Sequence, residues 1–532
     1  MEHFDFSLPH ARRAPLLARN VVATSQPLAA QAGLQALARG GNAVDAALAA
    51  AIALTVLEPT MNGIGGDAFA LVWDGRRLHG LNASGRAPQA WNPSRFAGLE
   101  RMPVNGWDSV TVPGAVSAWA ALSERFGALP FEDLFEAAIR YARDGFNVSP
   151  VIARQWQDQA AQLYAQPGFA QAWMPAGRAP QAGERWRFEA QADTLAEIAS
   201  SRGESFYRGR LAQRIAAFAR ATGGAIDQND LAQHRADWVE PIANDYHGFT
   251  VHEIPPNGQG IAALMALGIL EHLPVGDTRP DSAQRLHLQI EAMRLAFADA
   301  HAHVADPEHM RTSAAALLDP GYLASRARLV DPTRAGRHAS GEPPRGGTVY
   351  LCAADAQGRM VSMIQSNFKG FGSGVVVPDT GISLQNRGSG FSLVPGHPNE
   401  VAPGKRPYHT IIPAFMTRQG RPVMAFGVMG GNMQPQGHLQ VAMRFIDERL
   451  DPQACSDAPR WRIDDAGSLT VEAATSAQTV RELEAMGHAV RVMPHDSLDF
   501  GSAQAIARLS DRPEDGYVGG SDHRRDGQAV GF

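Results

Sequence analysis

Arg345-Gly346-Gly347-Thr348-Val349-Tyr350 marks the point where an irregular stretch gives way to strand-like alternation, and its reading decides the fold. Residues 349–354 alternate, Asp355-Ala356-Gln357-Gly358 turns, and residues 360–365 return, which predicts a β-hairpin. A threonine that opens a strand after two glycines is placed where its hydroxyl can attack the carbonyl just upstream. Such a cut would free Thr348 as a new N-terminus, whose α-amine, with an ordinary pKa of about 7.7–8.0, can act as base for its own side-chain oxygen. Gly347, lacking a Cβ, suits the strained backbone of that attack. The same glycine pair also reads as an ordinary loop entering a strand, so the rest of the chain has to decide.

Immediately upstream, residues 331–347 are rich in Arg, Gly and Pro and carry no periodicity, which predicts an exposed linker. Further back, a strand over residues 21–24 leads through Pro27 into a helix that stops at Gly40-Gly41. Asn42 then caps a second, alanine-rich helix with Asp45 three residues on. Asn62-Gly63-Ile64-Gly65-Gly66-Asp67-Ala68-Phe69 has the spacing of a dinucleotide fingerprint, but a helix precedes it and the strand pattern of residues 69–73 follows, the reverse of what that fingerprint needs. Residues 113–201 are mostly helical in pattern, with an amphipathic segment over 134–145. A Pro- and Gly-rich crossing at 254–260 leads to an apolar helix through Leu273 and a long helix over 282–303. Beyond the hairpin, strands are expected at 374–377, 410–416 and 423–426, then a helix over 436–448. Helices, central strands and helices again indicate an α/β (α+β) layered fold with antiparallel sheets between helical layers.

The 532 residues suffice for a large layered unit, and 44% hydrophobic with 19% charged residues are globular values. A formal net charge of -6 without a basic stripe argues against nucleic acid or an anionic membrane as partner. The two cysteines, Cys352 and Cys455, make no disulfide framework, and Cys352 lies in an apolar strand pattern as a small core residue. The N-terminal residues 1–13 carry early acids and no apolar core of signal-peptide length. The apolar run 43–57 is interrupted by Asp45 and falls short of about 18 residues, so it reads as a buried helix. A soluble, cytoplasmic protein is expected.

Several chemistries lack their signatures. No Gly-x-Ser-x-Gly elbow or Walker-type loop is present. Asp299, His301, His303, Asp306 and His309 cluster in sequence, yet without a His-Glu-x-x-His pattern they read equally well as a solvated helix end, and no metal is assigned. What remains lies downstream of Thr348. Ser366, at the end of the return strand, sits within reach because paired strands lie about 4.8 Å apart. Gly430-Gly431 can turn backbone N–H groups toward an anion. Each, taken singly, also reads as an ordinary turn or strand residue.

Together these residues resemble the γ-glutamyltransferase (γ-glutamyl transpeptidase, glutathione hydrolase) family of N-terminal nucleophile hydrolases. The resemblance runs through Gly40-Gly41-Asn42-Ala43-Val44-Asp45, Asn62-Gly63-Ile64-Gly65-Gly66, Val112-Pro113-Gly114, Ala142-Arg143-Asp144-Gly145, Glu291-Ala292-Met293-Arg294, Lys405-Arg406-Pro407, Gly430-Gly431, Ala458-Pro459-Arg460 and Asp522-His523-Arg524-Arg525-Asp526-Gly527. It implies a four-layer αββα sandwich and a proenzyme that cleaves between Gly347 and Thr348 into a large subunit, 1–347, and a small one, 348–532. A homo-oligomer of such heterodimers is compatible with it. By the matching positions Thr348 is the nucleophile, Ser366 its hydroxyl partner, and Gly430 and Gly431 the oxyanion hole. An acyl group would pass from a small-molecule amide onto Thr348 and then to water or an amine, with no cofactor.

The substrate clamp departs from the family pattern. Ser84 aligns with the arginine that usually holds the glutamyl α-carboxylate, and Arg86 follows two residues later. Gly390 precedes Phe391-Ser392 where an acid is usual, Arg387 stands for a glutamine, and Phe368 for an asparagine. A carboxylate clamp is expected from Arg86, Arg387, His409 and Thr410, with Asn386 beside them, since arginine forks suit carboxylates. The amine clamp is missing, which costs about 2–4 kcal/mol of recognition for an ammonium group. Three readings follow: a glutathione hydrolase-like enzyme, an acylase for a non-glutamyl amide such as a glutaryl (cephalosporin side-chain) amide or oxamate, and an uncleaved, inactive binding homologue.

Overall fold

A computed structural model describes residues 13–336, 347–464, 467–494 and 497–532. The N-terminal residues read for a leader, apart from Arg13, and most of the linker, 337–346, lie outside the described residues. Within that frame the predicted hairpin forms, its strands Gly347–Ala354 and Met360–Phe368 running antiparallel at the centre of a seven-stranded sheet. Across this sheet the order is Gln528–Gly531, Val21–Thr24, Gly347–Ala354, Met360–Phe368, Asp67–Trp73, Leu78–Asn82 and Asp237–Val239, every pair antiparallel. A second seven-stranded antiparallel sheet runs Leu16–Ala18, Tyr517–Ser521, Ser502–Arg508, Arg421–Met429, Ala414–Arg418, Phe249–Glu253, Ile242–Tyr246. The sheets face each other through side chains such as Tyr350, Phe415, Ala425 and Ile506.

Helices cover both outer faces, giving the expected αββα layers. Pro27–Ala38 and Ala43–Leu57 lie on the first sheet, and all 15 residues of the second helix are buried. Asn42 and Asp45 form a full capping box: Asn42 Oδ1 accepts from Val44 and Asp45 N–H, and Asn42 N–H donates to Asp45 at 2.8 Å. Gly260–Leu270, Ala283–His303 and Met433–Asp447 cover the second sheet. Among the described residues no helix is long and apolar enough to cross a membrane. Each sheet takes strands from both sides of Thr348, so a cut there yields two interlocked chains and not two separable domains.

Three elements differ from the sequence reading. Strand structure begins at Ala414, not 410, because the backbone of residues 409–412 bonds elsewhere: Gln259 N–H donates to His409 O at 2.9 Å, and Ile412 N–H to the Gln434 side chain at 3.0 Å. The helix expected from 436 starts at Met433, since Pro435 falls in the first turn, where no intrahelical N–H is needed. Only Val376–Val377 of the segment 374–377 is strand.

Candidate active site

Thr348 sits in a β-bulge. Gly347 pairs with Phe368 and Val349 with Gln365, so the single residue Thr348 opposes both Ser366 and Asn367. The Asn62–Gly66 turn packs under this bulge: a Cβ on Gly66 would lie 2.6 Å from the Ser366 carbonyl oxygen, and one on Gly65 2.2 Å from that of Ser383. The glycines the sequence shares with a dinucleotide loop therefore admit backbone. Thr348 and Ser366 are both fully buried.

The Thr348 Oγ1 accepts a hydrogen bond from Gln434 Nε2 at 3.2 Å. Gln434 opens the helix Met433–Asp447 directly after Gly430 and Gly431, whose φ angles of +127° and +61° are open to glycine. The Gly430 and Gly431 carbonyls accept from Met433 and Gln434 N–H, while their own N–H groups have no acceptor among the described residues. Two N–H groups left over at a helix start favour a developing anion. One turn further, His438 donates to Glu253 at 2.6 Å and accepts from Val428 N–H at 3.1 Å, locking this helix to two strands of the second sheet.

Ser366 Oγ accepts from Phe368 N–H at 2.7 Å and from the Arg387 guanidinium at 3.2 Å. That first bond holds Phe368 at φ +80°, a left-handed conformation rare for a bulky residue. It brings the Phe368 ring 4.2 Å from the Arg387 guanidinium. Arg387 also donates to Thr410 Oγ1 at 2.7 Å and is itself fully buried. No carboxylate among the described residues lies within ion-pair distance of it, and its Nε has no hydrogen-bond partner. Burial pushes its pKa down to about 9, against the attraction of Asp67, so it stays charged at neutral pH.

Asp67 is a site residue the sequence reading passed over as part of a glycine turn. Burial raises its carboxyl to about 6, opposed by Arg387 and by donors from Gln385, Gly85 and Gly114. Gln385 Nε2, Gly85 N–H and Gly114 N–H reach it at 2.9, 3.1 and 3.0 Å, and His409 Nε2 at 3.1 Å. Burial, with Arg387 and Arg406 nearby, holds His409 neutral, so its Nε2–H donates to Asp67. His409 is thus used to fix Asp67. Asn386 is likewise engaged: its amide donates to Val104 and Gly372 carbonyls and accepts from Lys369 N–H. Arg86 pairs with Asp306 at 3.2 Å and lines a separate cavity of about 250 Å³ with Gln89, His234, Arg235 and Arg406.

Of the side chains the sequence grouped as metal donors, the two carboxylates are paired with arginines, while both ring nitrogens of His301 lack a hydrogen-bond partner among the described residues. Asp299 pairs with Arg326, Asp306 with Arg86, and His301 stacks on Phe297. A different trio, His287, Glu291 and His488, brings its ligand atoms within 4.8 Å. Protein groups already occupy it: His287 bonds His488 at 2.8 Å and the Asp331 carbonyl at 2.8 Å, while Glu291 takes Arg294 and Gly336 N–H. It reads as a tie between the long helix and the chain entering the linker.

Comparison with known proteins matches the family described as Gamma-glutamyltranspeptidase over residues 29–532. The chain is 38% identical to an oxamate amidohydrolase proenzyme of Klebsiella pneumoniae, covering 95% of this chain and 97% of that protein. It is 36% identical to the glutathione hydrolase-like YwrD proenzyme of Bacillus subtilis, covering 97% and 98%. The crystal structure of a cephalosporin acylase from Bacillus halodurans superposes with a TM-score of 0.92 at 47% identity, covering 100% of this chain and 99% of that one.

Proposed function

The chain belongs to the gamma-glutamyltranspeptidase family of amide-cleaving and acyl-transferring enzymes, and from that premise we propose that it is a self-processing amidohydrolase for acyl groups that carry a terminal carboxylate and no α-amine. Thr348 is its nucleophile. Cleavage after Gly347 frees the Thr348 amine, which takes the Oγ1 proton as Oγ1 adds to the substrate carbonyl. The N–H groups of Gly430 and Gly431 receive the oxyanion. The amine leaves with the transferred proton, and water releases the acid from the Thr348 ester.

The observation that carries the substrate class is the buried Arg387 cation on Ser366 Oγ, with no carboxylate among the described residues within ion-pair distance. A substrate carboxylate supplies the missing partner. Relatives named as a cephalosporin acylase and an oxamate amidohydrolase support this reading over a γ-glutamyl one.

Two measurements test it. On a denaturing gel the 57.0 kDa chain should resolve into two bands, and Thr348→Ala should stay single. Steady-state rates of the cleaved protein should favour a glutaryl anilide over its γ-glutamyl counterpart. A preference for the γ-glutamyl compound refutes the substrate class, and an uncleaved, inactive wild type refutes the enzyme.

A further inference from the structure

We infer that Gln434 is a catalytic residue, the hydrogen-bond donor that stabilises negative charge on the Thr348 side-chain oxygen. The inference rests on Thr348 being the nucleophile, and no motif or family resemblance pointed to position 434.

The amide is oriented by its surroundings. Ile412 N–H donates to Gln434 Oε1 at 3.0 Å, and only the oxygen of an amide accepts such a bond. The nitrogen must therefore face the other way, where it lies 3.2 Å from Thr348 Oγ1. Gln434 is fully buried, so water does not compete for this donor. Its backbone is equally fixed: Gln434 N–H bonds the Gly431 carbonyl, and His438, one turn on, is bound to Glu253 and Val428.

This geometry assigns the protons. Oγ1 accepts from Gln434, so its own hydrogen points away from the amide, toward whatever removes it. In the acylation step that proton passes to the Thr348 amine, the Oγ1–C bond forms, and the amide C–N bond breaks as the leaving amine takes the proton. In deacylation a water oxygen bonds to the ester carbon, its proton goes to the Thr348 amine, and the C–Oγ1 bond breaks with that proton returning to Oγ1. Charge grows on Oγ1 in both steps, and an N–H already aimed at it stabilises both without rearrangement. The same donor faces Oγ1 when it attacks the Gly347 carbonyl during processing.

Gln434→Glu separates this role from a structural one. The glutamate keeps an oxygen for Ile412 N–H and, once ionised, turns a carboxylate oxygen toward Thr348, removing the donor; because burial raises such a carboxyl, the loss is read at alkaline pH. Processing should slow, and kcat per cleaved chain should fall about tenfold to a hundredfold with KM within about twofold of wild type. Because a protonated glutamate again offers an O–H, the variant-to-wild-type kcat ratio should recover as pH falls. Gln434→Met, which lacks that proton, should show the loss without the recovery, and equal circular dichroism spectra would confirm that both variants fold. A Gln434→Glu enzyme that keeps wild-type kcat up to about pH 9, or a ratio that does not change with pH, overturns the inference. Thr348→Ala keeps the failures apart: if it retains activity the nucleophile is misassigned, whereas an inactive Thr348→Ala beside a wild-type-like Gln434→Glu removes only the role of Gln434.

Discussion

Replacing Arg387 by glutamine tests the proposed carboxylate selectivity: the variant should be a weak and indiscriminate enzyme. The side chain is fully buried, lies 4.2 Å from the Phe368 ring, and divides its donors between Thr410 and Ser366. A substrate carboxylate at this guanidinium would be desolvated with it, and losing one partner of such a pair costs about 2–5 kcal/mol. At about 1.4 kcal/mol per tenfold, that is a fall of roughly 30-fold to 3,000-fold in kcat/KM for a glutaryl anilide. A butyryl anilide of similar length has no carboxylate to lose and should change by less than about tenfold, the share due to freed Ser366 and Thr410 hydroxyls. Stability should move the other way: burial depresses the arginine to about 9, so the folded state holds this charge at a cost, and the neutral variant should melt no lower than wild type near pH 7. The assay is release of the aniline chromophore by wild type and variant on both substrates. Equal losses on the two would refute the reasoning, because Arg387 would then serve only to hold Ser366 and Thr410.

Three further outcomes are expected. Asp67 has a folded pKa of about 6 against 3.8 for the free group. The native chain therefore binds a proton between about pH 6 and 4 that the unfolded chain does not, and this group adds stability as pH falls through that window. The unfolding free energy of Asp67→Asn in chemical denaturation should drop relative to wild type by a widening margin from pH 7 to 4, reaching on the order of 2–3 kcal/mol. Gly430→Ala forces a side chain to φ +127° with its Cβ 3.0 Å from Gly501 Cα, which should cost about 1–3 kcal/mol in chemical denaturation and lower kcat. Gly85→Ala would put a Cβ 1.5 Å from the Val112 carbonyl oxygen, so the Gly85 N–H bond to Asp67 cannot survive. It should destabilise by more than about 4 kcal/mol and leave the chain unprocessed on a gel.

How much of this was legible from sequence follows from whether the deciding contacts are local. The hairpin, the Asn42–Asp45 cap and the buried helix Ala43–Leu57 depend on neighbours a few residues apart, and periodicity and capping chemistry report them. The start of the strand Ala414–Arg418 was not readable, because what removes residues 410–413 from the ladder is Gln259 and Gln434, distant in sequence. The same distance hid two site residues. Gln434 meets Thr348 across 86 positions, and Asp67 meets His409 across 342; no local pattern marks either as anything but a helix residue and a turn residue. Arg387 was visible only as an exception, a cation where the family pattern has an amide. The structure adds that it is buried, on Ser366, and without an acid within ion-pair distance among the described residues.

That last point bears on whether Asp67 restores the lost amine clamp. An ammonium group needs an acidic oxygen with free lone pairs and a cavity without competing cations. Asp67 meets both demands poorly. Its Oδ1 accepts from Gln385, Gly85 and Gly114, and its Oδ2 from His409. An ammonium approaching it would also enter the field of Arg387, whose attraction already lowers the Asp67 pKa. His409, held neutral, adds no negative charge to offset this. With Asp67 already taking four donors and Arg387 lacking a carboxylate among the described residues within ion-pair distance, the proposed preference is for an anionic acyl group, and the α-amine of a glutamyl substrate should be disfavoured.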